Sequence, residues 1–323
     1  MRPVESAAPG SPLRIAAAFL AVYLIWGSTY LAIRIAIETL PPLLMAGARY
    51  LIAGAIVFAW GLYRDGERPS SRNWRDAFLL GGLFFLGGNG AVVWAEQRVA
   101  SGVASLLVAT MPLWVVLLDW LRPGGHKPRP FVVAGVALGF LGLLVLVPPT
   151  GAGSVIDPVG AFVLVVGALS WATGSLFARD ADLPKSLLLA SGMEMLGGGA
   201  QLALAGVLMR ELGAMHLAAV SLRSLLALAY LTVVGSIVAF NAFTYLLERV
   251  PASRLSTYAY VNPAVAVILG WLLVGEPLTA RTLVGAAVIV AAVAMVIAGQ
   301  APERAGEELP APVAELAEEP PPT

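Results

Sequence analysis

Ten apolar segments, each long enough to cross a bilayer as a helix, recur at regular spacing along the 323-residue chain. A helical span needs about 20 predominantly apolar residues. Within hydrocarbon the backbone polar groups must pair internally, which an α-helix achieves alone. The predicted spans are 13–33, 43–63, 77–97, 102–121, 131–148, 158–178, 187–209, 223–247, 252–274 and 281–298. The sequence therefore predicts an all-α membrane protein with ten transmembrane helices.

The composition excludes several classes of protein. Apolar residues make up 59% of the chain and charged residues only 12%, against about 25% charged residues in soluble domains. Acidic and basic residues balance at 20 each, so no basic surface for a nucleic-acid partner is expected. Without cysteine there is no Cys-ligated metal centre. We predict the lipid bilayer as a partner, and no metal or cofactor.

Basic residues set the predicted orientation. If the N-terminus lies inside, fourteen of the 20 Lys and Arg residues fall on the cytoplasmic side and five on the outer side. Cytoplasmic loops carry the excess of basic residues in membrane proteins. Both termini are therefore predicted to be cytoplasmic: a short tail at 1–12, and a disordered tail at 299–323 that is rich in Pro, Glu and Ala.

The two halves of the chain resemble each other. A shift of 145 or 151 positions superposes Trp26 on Trp171, Arg34 on Arg179, Gly47 on Gly192, Arg49 on Glu194, Arg98-Val99 on Arg249-Val250, Ser105 on Ser256 and Pro112 on Pro263. Each half, 13–148 and 158–298, then holds five spans. Because five is odd, the second half enters the membrane from the opposite side. Such inverted repeats are typical of secondary transporters.

Three motifs resemble one family, the EamA type of the drug/metabolite transporter superfamily. The most specific lies in the ninth span and begins Tyr260-Val261-Asn262-Pro263-Ala264, continuing to Gly275-Glu276-Pro277. The first span carries Trp26-Gly27-Ser28-Thr29-Tyr30, and the eighth carries Gly235-Ser236, Asn241 and Glu248-Arg249-Val250.

This resemblance covers residues 13 to 298 and implies a ten-helix carrier of the bacterial inner membrane. Members of this type are often exporters of amino acids or other metabolites, with a cavity between the halves. The sequence departs from the family pattern after the fourth span, where Gly-Glu is often found. Here that position reads Pro123-Gly124-Gly125-His126.

Two prolines occupy equivalent positions in the middle of spans. Pro112 and Pro263 each lack a backbone N–H and clash with the carbonyl four residues earlier, at Val108 and Ala259. A free carbonyl in hydrocarbon is tolerated only where it faces protein or water. We predict that both prolines bend helices that line the site, the alternative being a simple packing kink.

Arg49 and Glu194 are the ionisable residues placed deepest in the spans. Such residues usually mark a pathway or a pair. By depth, about 10 Å of the bilayer separates them, which argues against a direct salt bridge. Arg49 can also extend toward the outer interface. Glu194 is the predicted contact for a proton or a substrate amine, which makes proton coupling a hypothesis.

Several aromatic and polar side chains within spans are candidates for substrate binding. The candidates are Trp26, Thr110, Trp171, Asn241, Tyr260 and Asn262. Each has an alternative role as a polar contact between helices. Glu96 and Glu276 lie at span ends and are predicted to be solvated or structural.

The predicted function is secondary transport, in the export direction, of a small metabolite such as an amino acid by alternating access. No catalytic residue is predicted, because the chain has no G-x-S-x-G or H-E-x-x-H motif and no phosphate-binding loop. A receptor or scaffold would need larger domains outside the membrane. A small-solute channel remains the main alternative, followed by a membrane-embedded enzyme.

Overall fold

Ten helices cross from one end of the molecule to the other in the computed structural model, within the residues it describes (11–125, 127–147, 156–247, 249–250, 252–255 and 257–300). We number them α1 (Pro12–Ala36), α2 (Pro42–Asp65), α3 (Ser71–Ala95), α4 (Ser101–Leu121), α5 (Pro130–Leu146), α6 (Pro158–Phe177), α7 (Leu187–Leu208), α8 (222–247), α9 (252–274) and α10 (Ala280–Gln300). The predicted fold class is confirmed. Eight of these helices are long and apolar enough to span a membrane, and α5 and the main part of α9 are shorter apolar helices.

Four of the helices are irregular. α3 and α8 each contain an eight-residue π-helical segment, Gly82–Asn89 and Leu231–Val238. α4 is divided into Ser101–Val108 and Met111–Leu121, and α9 into Ala252–Leu255 and Tyr258–Val274. The irregular helices are the third and fourth of each half, so the interruptions themselves repeat.

The predicted boundaries differ little from those of the structure. α3 begins at Ser71, six residues before the predicted start, because Ser70 and Asn73 form a capping box there. α10 continues to Gln300, two residues into the predicted tail. Short helices at Glu211–Ala214 and Leu217–Ala219 lie between α7 and α8. The rest of the predicted tails, 1–10 and 301–323, lies outside the described residues, as do His126, Val155, Glu248 and Ser256.

The two halves run in opposite directions. We call the end of the bundle where α1 begins the near end, and the opposite end the far end. Leu40, just after α1, shares a buried cluster with Val99 and with Ile156, just before α6. The first half therefore starts at the near end and the second half at the far end, as an inverted repeat requires.

α2 and α7 pack against each other over most of their length through glycines spaced seven residues apart. These are Gly47, Gly54 and Gly61 on α2, and Gly192, Gly199 and Gly206 on α7. A Cβ atom at Gly192 would lie 2.6 Å from the backbone nitrogen of Phe58, and one at Gly54 would lie 2.9 Å from that of Leu196. Small residues allow this close approach in membranes, where helix association depends on van der Waals packing.

Two carboxylates cap the α2–α7 pair at opposite ends. Glu67, after α2, accepts hydrogen bonds from the backbone N–H groups of Lys185 and Ser186 at the start of α7 (3.3 and 3.2 Å). Glu211, after α7, accepts them from Leu43 and Leu44 at the start of α2 (3.2 and 2.9 Å). Each carboxylate satisfies otherwise unpaired amides and complements the helix dipole.

Candidate functional site

A cavity of about 400 Å³ lies between the two halves. Its walls come from α1 to α4 and α6 to α9, and within the described chain α5 and α10 contribute no lining residue. The volume is in the range of small-molecule sites. The polar and charged lining residues are Thr29, Arg49, Asn89, Ser105, Ser175, Ser191, Glu194, Ser236 and Asn262.

Arg49 is held in place on the wall formed by α2. Its Nε donates to the Ser236 hydroxyl at 2.9 Å, and its guanidinium lies 4.7 Å from the centre of the Tyr50 ring. The side chain is only 5% exposed, so it faces the cavity and does not extend to the interface. No other hydrogen bond of Arg49 is found among the described residues, which leaves its terminal nitrogens for a ligand.

Glu194 lines the same cavity from α7, at the position equivalent to Arg49 in the other half. The structure contains no ion pair between them in the part of the chain it describes, in agreement with the depth argument. A cation and a carboxylate thus share one chamber without neutralising each other. This arrangement can bind a solute that carries both charges.

The π-helical segments place polar groups on the cavity wall. A π turn leaves local carbonyls without their usual partners, and a side chain within each segment compensates for this. The Ser236 hydroxyl donates to the Leu231 carbonyl at 3.1 Å, and the Asn89 amide to the Phe84 carbonyl at 3.4 Å. Ser236 therefore accepts from Arg49 with its hydroxyl fixed, so the π segment of α8 orients the arginine.

Both prolines line the cavity, together with Val108 and Ala259, the residues four positions before them. Pro112 follows the interruption of α4, and Val108 lies just before it. Pro263 lies inside the helix Tyr258–Val274, and the bend predicted there stays a prediction. The interruption of α9 falls earlier, at Thr257, which turns before the helix resumes. Ala259, whose carbonyl cannot accept from the N–H that Pro263 lacks, then lies in the first turn of the resumed helix.

Three of the six candidate binding residues line the cavity: Trp26, Trp171 and Asn262. The Trp26 indole donates to the Gly235 carbonyl at 3.3 Å, which satisfies its buried N–H. The Asn262 side chain is 9% exposed, and its Oδ1 atom is buried without a hydrogen-bond partner. An orphaned acceptor beside a cavity is suited to a donor on the solute.

The other three candidates do not line the cavity. The Thr110 hydroxyl is buried and donates to the Leu107 carbonyl at 2.6 Å, at the interruption of α4. The Asn241 amide donates to the Ile237 carbonyl at 2.8 Å within α8. Tyr260 packs against the large buried cluster that contains Leu40, Val99 and Ile156. For the two hydrogen-bonded residues the structure shows contacts within their own helices.

Sequence reasoning missed most of the aromatic lining. The further lining aromatics are Tyr30, Tyr50, Phe84, Phe85, Phe240, Phe243 and Tyr258. They give the chamber a largely apolar wall around its few polar groups. In a membrane protein apolar residues face lipid, core or cavity alike, so their chemical type alone gives no signal. The regular helical period would also have misplaced residues beyond each π segment.

The two ends of the cavity are packed differently. Toward the far end, buried residues of α1 to α8 and α10 form one continuous cluster. Toward the near end, two smaller clusters of buried residues are separate from this cluster and from each other. One joins α1, α8 and α9 through Ala18, Val22, Leu246 and Leu255, and the other joins α4, α5 and α10 through Leu113, Val116, Val132 and Val296.

The far end is also closed by polar contacts. Glu276, after α9, accepts hydrogen bonds from the backbone N–H groups of Ser101 and Gly102 at the start of α4 (2.7 and 3.1 Å). Its predicted structural role thus has a physical basis. Of the two alternatives predicted for Glu96, solvated or structural, the first is excluded, because this residue is 0% exposed. Arg34 packs over it and donates to its backbone carbonyl.

Comparison with known proteins agrees with this architecture. The sequence profile of the EamA-like transporter family matches residues 13–147 and again 158–298. The chain belongs to the EamA-like transporter family. The two matched segments of this EamA-like chain correspond to α1–α5 and α6–α10.

Individual relatives of this EamA-like protein are also transporters by name. It is 41% identical over 285 residues to the uncharacterized inner membrane transporter YedA of Escherichia coli (strain K12), covering 88% of this chain and 90% of YedA. It is 28% identical to a probable amino-acid metabolite efflux pump of Salmonella typhimurium, covering 84% of this chain and 91% of that protein. A solved crystal structure superposes with a TM-score of 0.58 at 23% identity, covering 88% of this chain and 98% of that one. That likeness supports the fold alone.

Proposed function

We propose that this EamA-like protein is a secondary transporter that exports a small zwitterionic metabolite, such as an amino acid with an apolar side chain, by alternating access. The observation that carries the proposal is the presence of Arg49 and Glu194, unpaired with each other, in one aromatic-walled cavity. The guanidinium is suited to a carboxylate, while Glu194 and the Asn262 Oδ1 atom are suited to an ammonium group. The aromatic wall is suited to an apolar body.

The packing supports a conformation open toward the near end. Among the described residues the two near-end clusters have no member in common, whereas at the far end one cluster joins nine of the ten helices. The distribution of basic residues predicts that the near end is cytoplasmic. A carrier in this conformation loads from the cytoplasm. The name of the Salmonella typhimurium relative, an amino-acid metabolite efflux pump, is in line with export.

The proposal is tested by counterflow in proteoliposomes that are preloaded with a mixture of unlabelled amino acids. We expect saturable uptake of a labelled amino acid against its gradient. Arg49→Gln and Glu194→Gln should each raise the half-saturating concentration at least tenfold, since a hydrogen bond to a charged group contributes about 1.5–3 kcal/mol. Flux that rises linearly with concentration, without counterflow, indicates a channel instead. If solutes with only an amine or only a carboxylate were transported as well as the zwitterion, the roles assigned to Arg49 and Glu194 would be contradicted.

Two asparagines of the second half provide a matched pair. Asn262→Ala removes an unpaired acceptor on the cavity wall, and Asn241→Ala removes an amide bonded within α8. We expect the first to weaken counterflow several-fold and the second to leave the half-saturating concentration unchanged. Equal effects of the two substitutions would indicate that the substrate does not bind in the cavity described above.

A further inference from the structure

Glu96 is a buried carboxylate that the proposed transport site does not use. It follows the last helical residue of α3 and is 0% exposed within the closed far end. Both of its side-chain oxygens are buried without a hydrogen-bond partner. The Ser101 hydroxyl is also buried without a hydrogen-bond partner. Ala95, immediately before Glu96, and Val99, three residues after it, belong to the large apolar cluster.

Three ionisable groups face Glu96 from the elements packed around it. Tyr30 and Arg34 approach from α1, and Glu276 approaches from the segment after α9. Arg34 donates to the backbone carbonyl of Glu96, and within the described chain it forms no ion pair with the carboxylate. Glu276 already accepts two backbone hydrogen bonds and brings a second negative charge. One guanidinium therefore faces two carboxylates, and the Glu96 carboxylate oxygens have no hydrogen-bond donor among the described residues.

Burying an ionised carboxylate without a donor is costly, and such a group takes up a proton instead. A second carboxylate nearby adds to that tendency. When α1, α3, α4 and α9 separate at the far end, water reaches the group and the ionised form becomes favourable again. Closing and opening of the far end are thus linked to the gain and loss of a proton.

We propose that Glu96 is a proton-binding site in the far-end gate, which closes when the carboxyl group takes up one proton and opens when that proton is released to the far side. The proton moves between water and a Glu96 oxygen, and no other bond forms or breaks. The inference rests on the proposed alternating-access function and adds a protonation step outside the substrate cavity. Export would then depend on the pH of the far side.

Opening of the far end can be measured without a substrate. The natural chain has no cysteine, so Ala104→Cys introduces a single thiol at a position that is 0% exposed in the far-end cluster. Its labelling by a maleimide is followed in nanodiscs between about pH 5 and pH 9. Dividing by the labelling rate of Gly213→Cys, on the open far-end segment after α7, removes the pH dependence of the thiol itself.

We expect the normalised labelling of Ala104→Cys to rise with pH, by up to tenfold per unit for release of one proton. Adding Glu96→Gln, which is permanently neutral, should give low labelling at every pH. Adding Glu38→Gln should leave the slope unchanged, because Glu38 is an exposed far-end carboxylate that pairs with Arg223 at 3.4 Å.

Three outcomes overturn the proposal. One is a flat profile in the chain that retains Glu96, and another is an unchanged slope after Glu96→Gln. The third is a change in labelling when Na⁺ is replaced by choline at constant pH, if Glu96→Gln abolishes that change. The site would then hold a metal cation and not a proton. Normal counterflow beside a flat labelling profile would reject proton binding at Glu96 and leave the proposed transport function intact. Loss of counterflow together with a Glu96-dependent labelling profile would reject the proposed transport function and leave proton binding at Glu96 intact.

Discussion

The helix pairs α2–α7 and α4–α9 end in the same backbone feature and differ in one side chain. Within the described residues the backbone is left-handed at four positions, Gly66, Arg210, Gly275 and Gly124, with φ from +61° to +74°. They lie just after α2, α7, α9 and α4. The residue that follows is a glutamate in the first three cases, and each glutamate caps the start of the partner helix. In the fourth case it is Gly125.

This difference separates a fixed pair of helices from a movable one. α2 and α7 are joined by carboxylates at both ends and by glycine packing in between. α4 and α9 are joined by a carboxylate at the far end, through Glu276, whereas Gly125 offers no acceptor side chain at the near end. We infer that α2–α7 is the axis about which the halves move, and that α4–α9 parts more readily at the near end.

The largest expected effect comes from disturbing the fixed pair. Gly192→Ala places a Cβ atom 2.6 Å from the Phe58 backbone nitrogen and 2.7 Å from its Cα, and backbone cannot give way as a flexible side chain can. We expect this substitution to lower the free energy of unfolding by about 2 kcal/mol. Thermal unfolding of the purified protein in detergent measures the change.

The matched control adds the same methyl group where nothing lies within 4 Å. Gly213 is such a position, in the short helix Glu211–Ala214. Gly213→Ala should leave stability unchanged or raise it by about 0.5 kcal/mol, because alanine restricts the unfolded chain. If the two variants unfold at the same temperature, the α2–α7 contact is looser than described.

The next effect distinguishes the two far-end carboxylates. Glu276→Gln replaces an ionised acceptor of two backbone N–H groups by a neutral one. We expect the far-end closure to lose about 1.5 kcal/mol, the lower end of the range for hydrogen bonds to charged groups. Labelling of Ala104→Cys should then rise about tenfold.

Glu211→Gln makes the same chemical change on α2. Glu211 also accepts two backbone hydrogen bonds at the far end, but on the pair inferred to be fixed. This variant should lose a similar amount of stability without any rise in labelling. A rise in both variants would mean that the far end opens as a whole, and the distinction between the pairs would fail.

Much of the fold follows from the sequence, because apolar length, proline and basic residues act locally. The predicted spans lie within a few residues of α1 to α10, apart from the earlier start of α3. The repeat predicted the correspondence between Arg49 and Glu194 and the inverted order of the halves. The π segments at Gly82–Asn89 and Leu231–Val238 could not be predicted, since a π turn depends on tertiary contacts as much as on its own residues.

The candidate site was predicted less completely. The charges were found because an ionisable residue in hydrocarbon is rare and needs a reason. Asn241 and Tyr260 met the same polar criterion, yet they do not line the cavity. For Glu96 the sequence left two alternatives open, solvated or structural, because its position at a helix end does not show that other helices bury it. Such burial is a property of the assembled halves.

The smallest expected effect compares the two ends of the α2–α7 pair. Glu67 makes longer hydrogen bonds than Glu211, at 3.2–3.3 Å, and does so beside the exposed Lys185. A carboxylate at an exposed helix start contributes about 0.3–1 kcal/mol, and salt screens it. Glu67→Gln should therefore lower stability by about 0.5 kcal/mol at low ionic strength and by less at high salt, while labelling of Ala104→Cys stays unchanged. Thermal unfolding at the two salt concentrations measures this. A loss as large as that of Glu211→Gln, and insensitive to salt, would show that the near-end cap is buried in the conformation that dominates in the membrane.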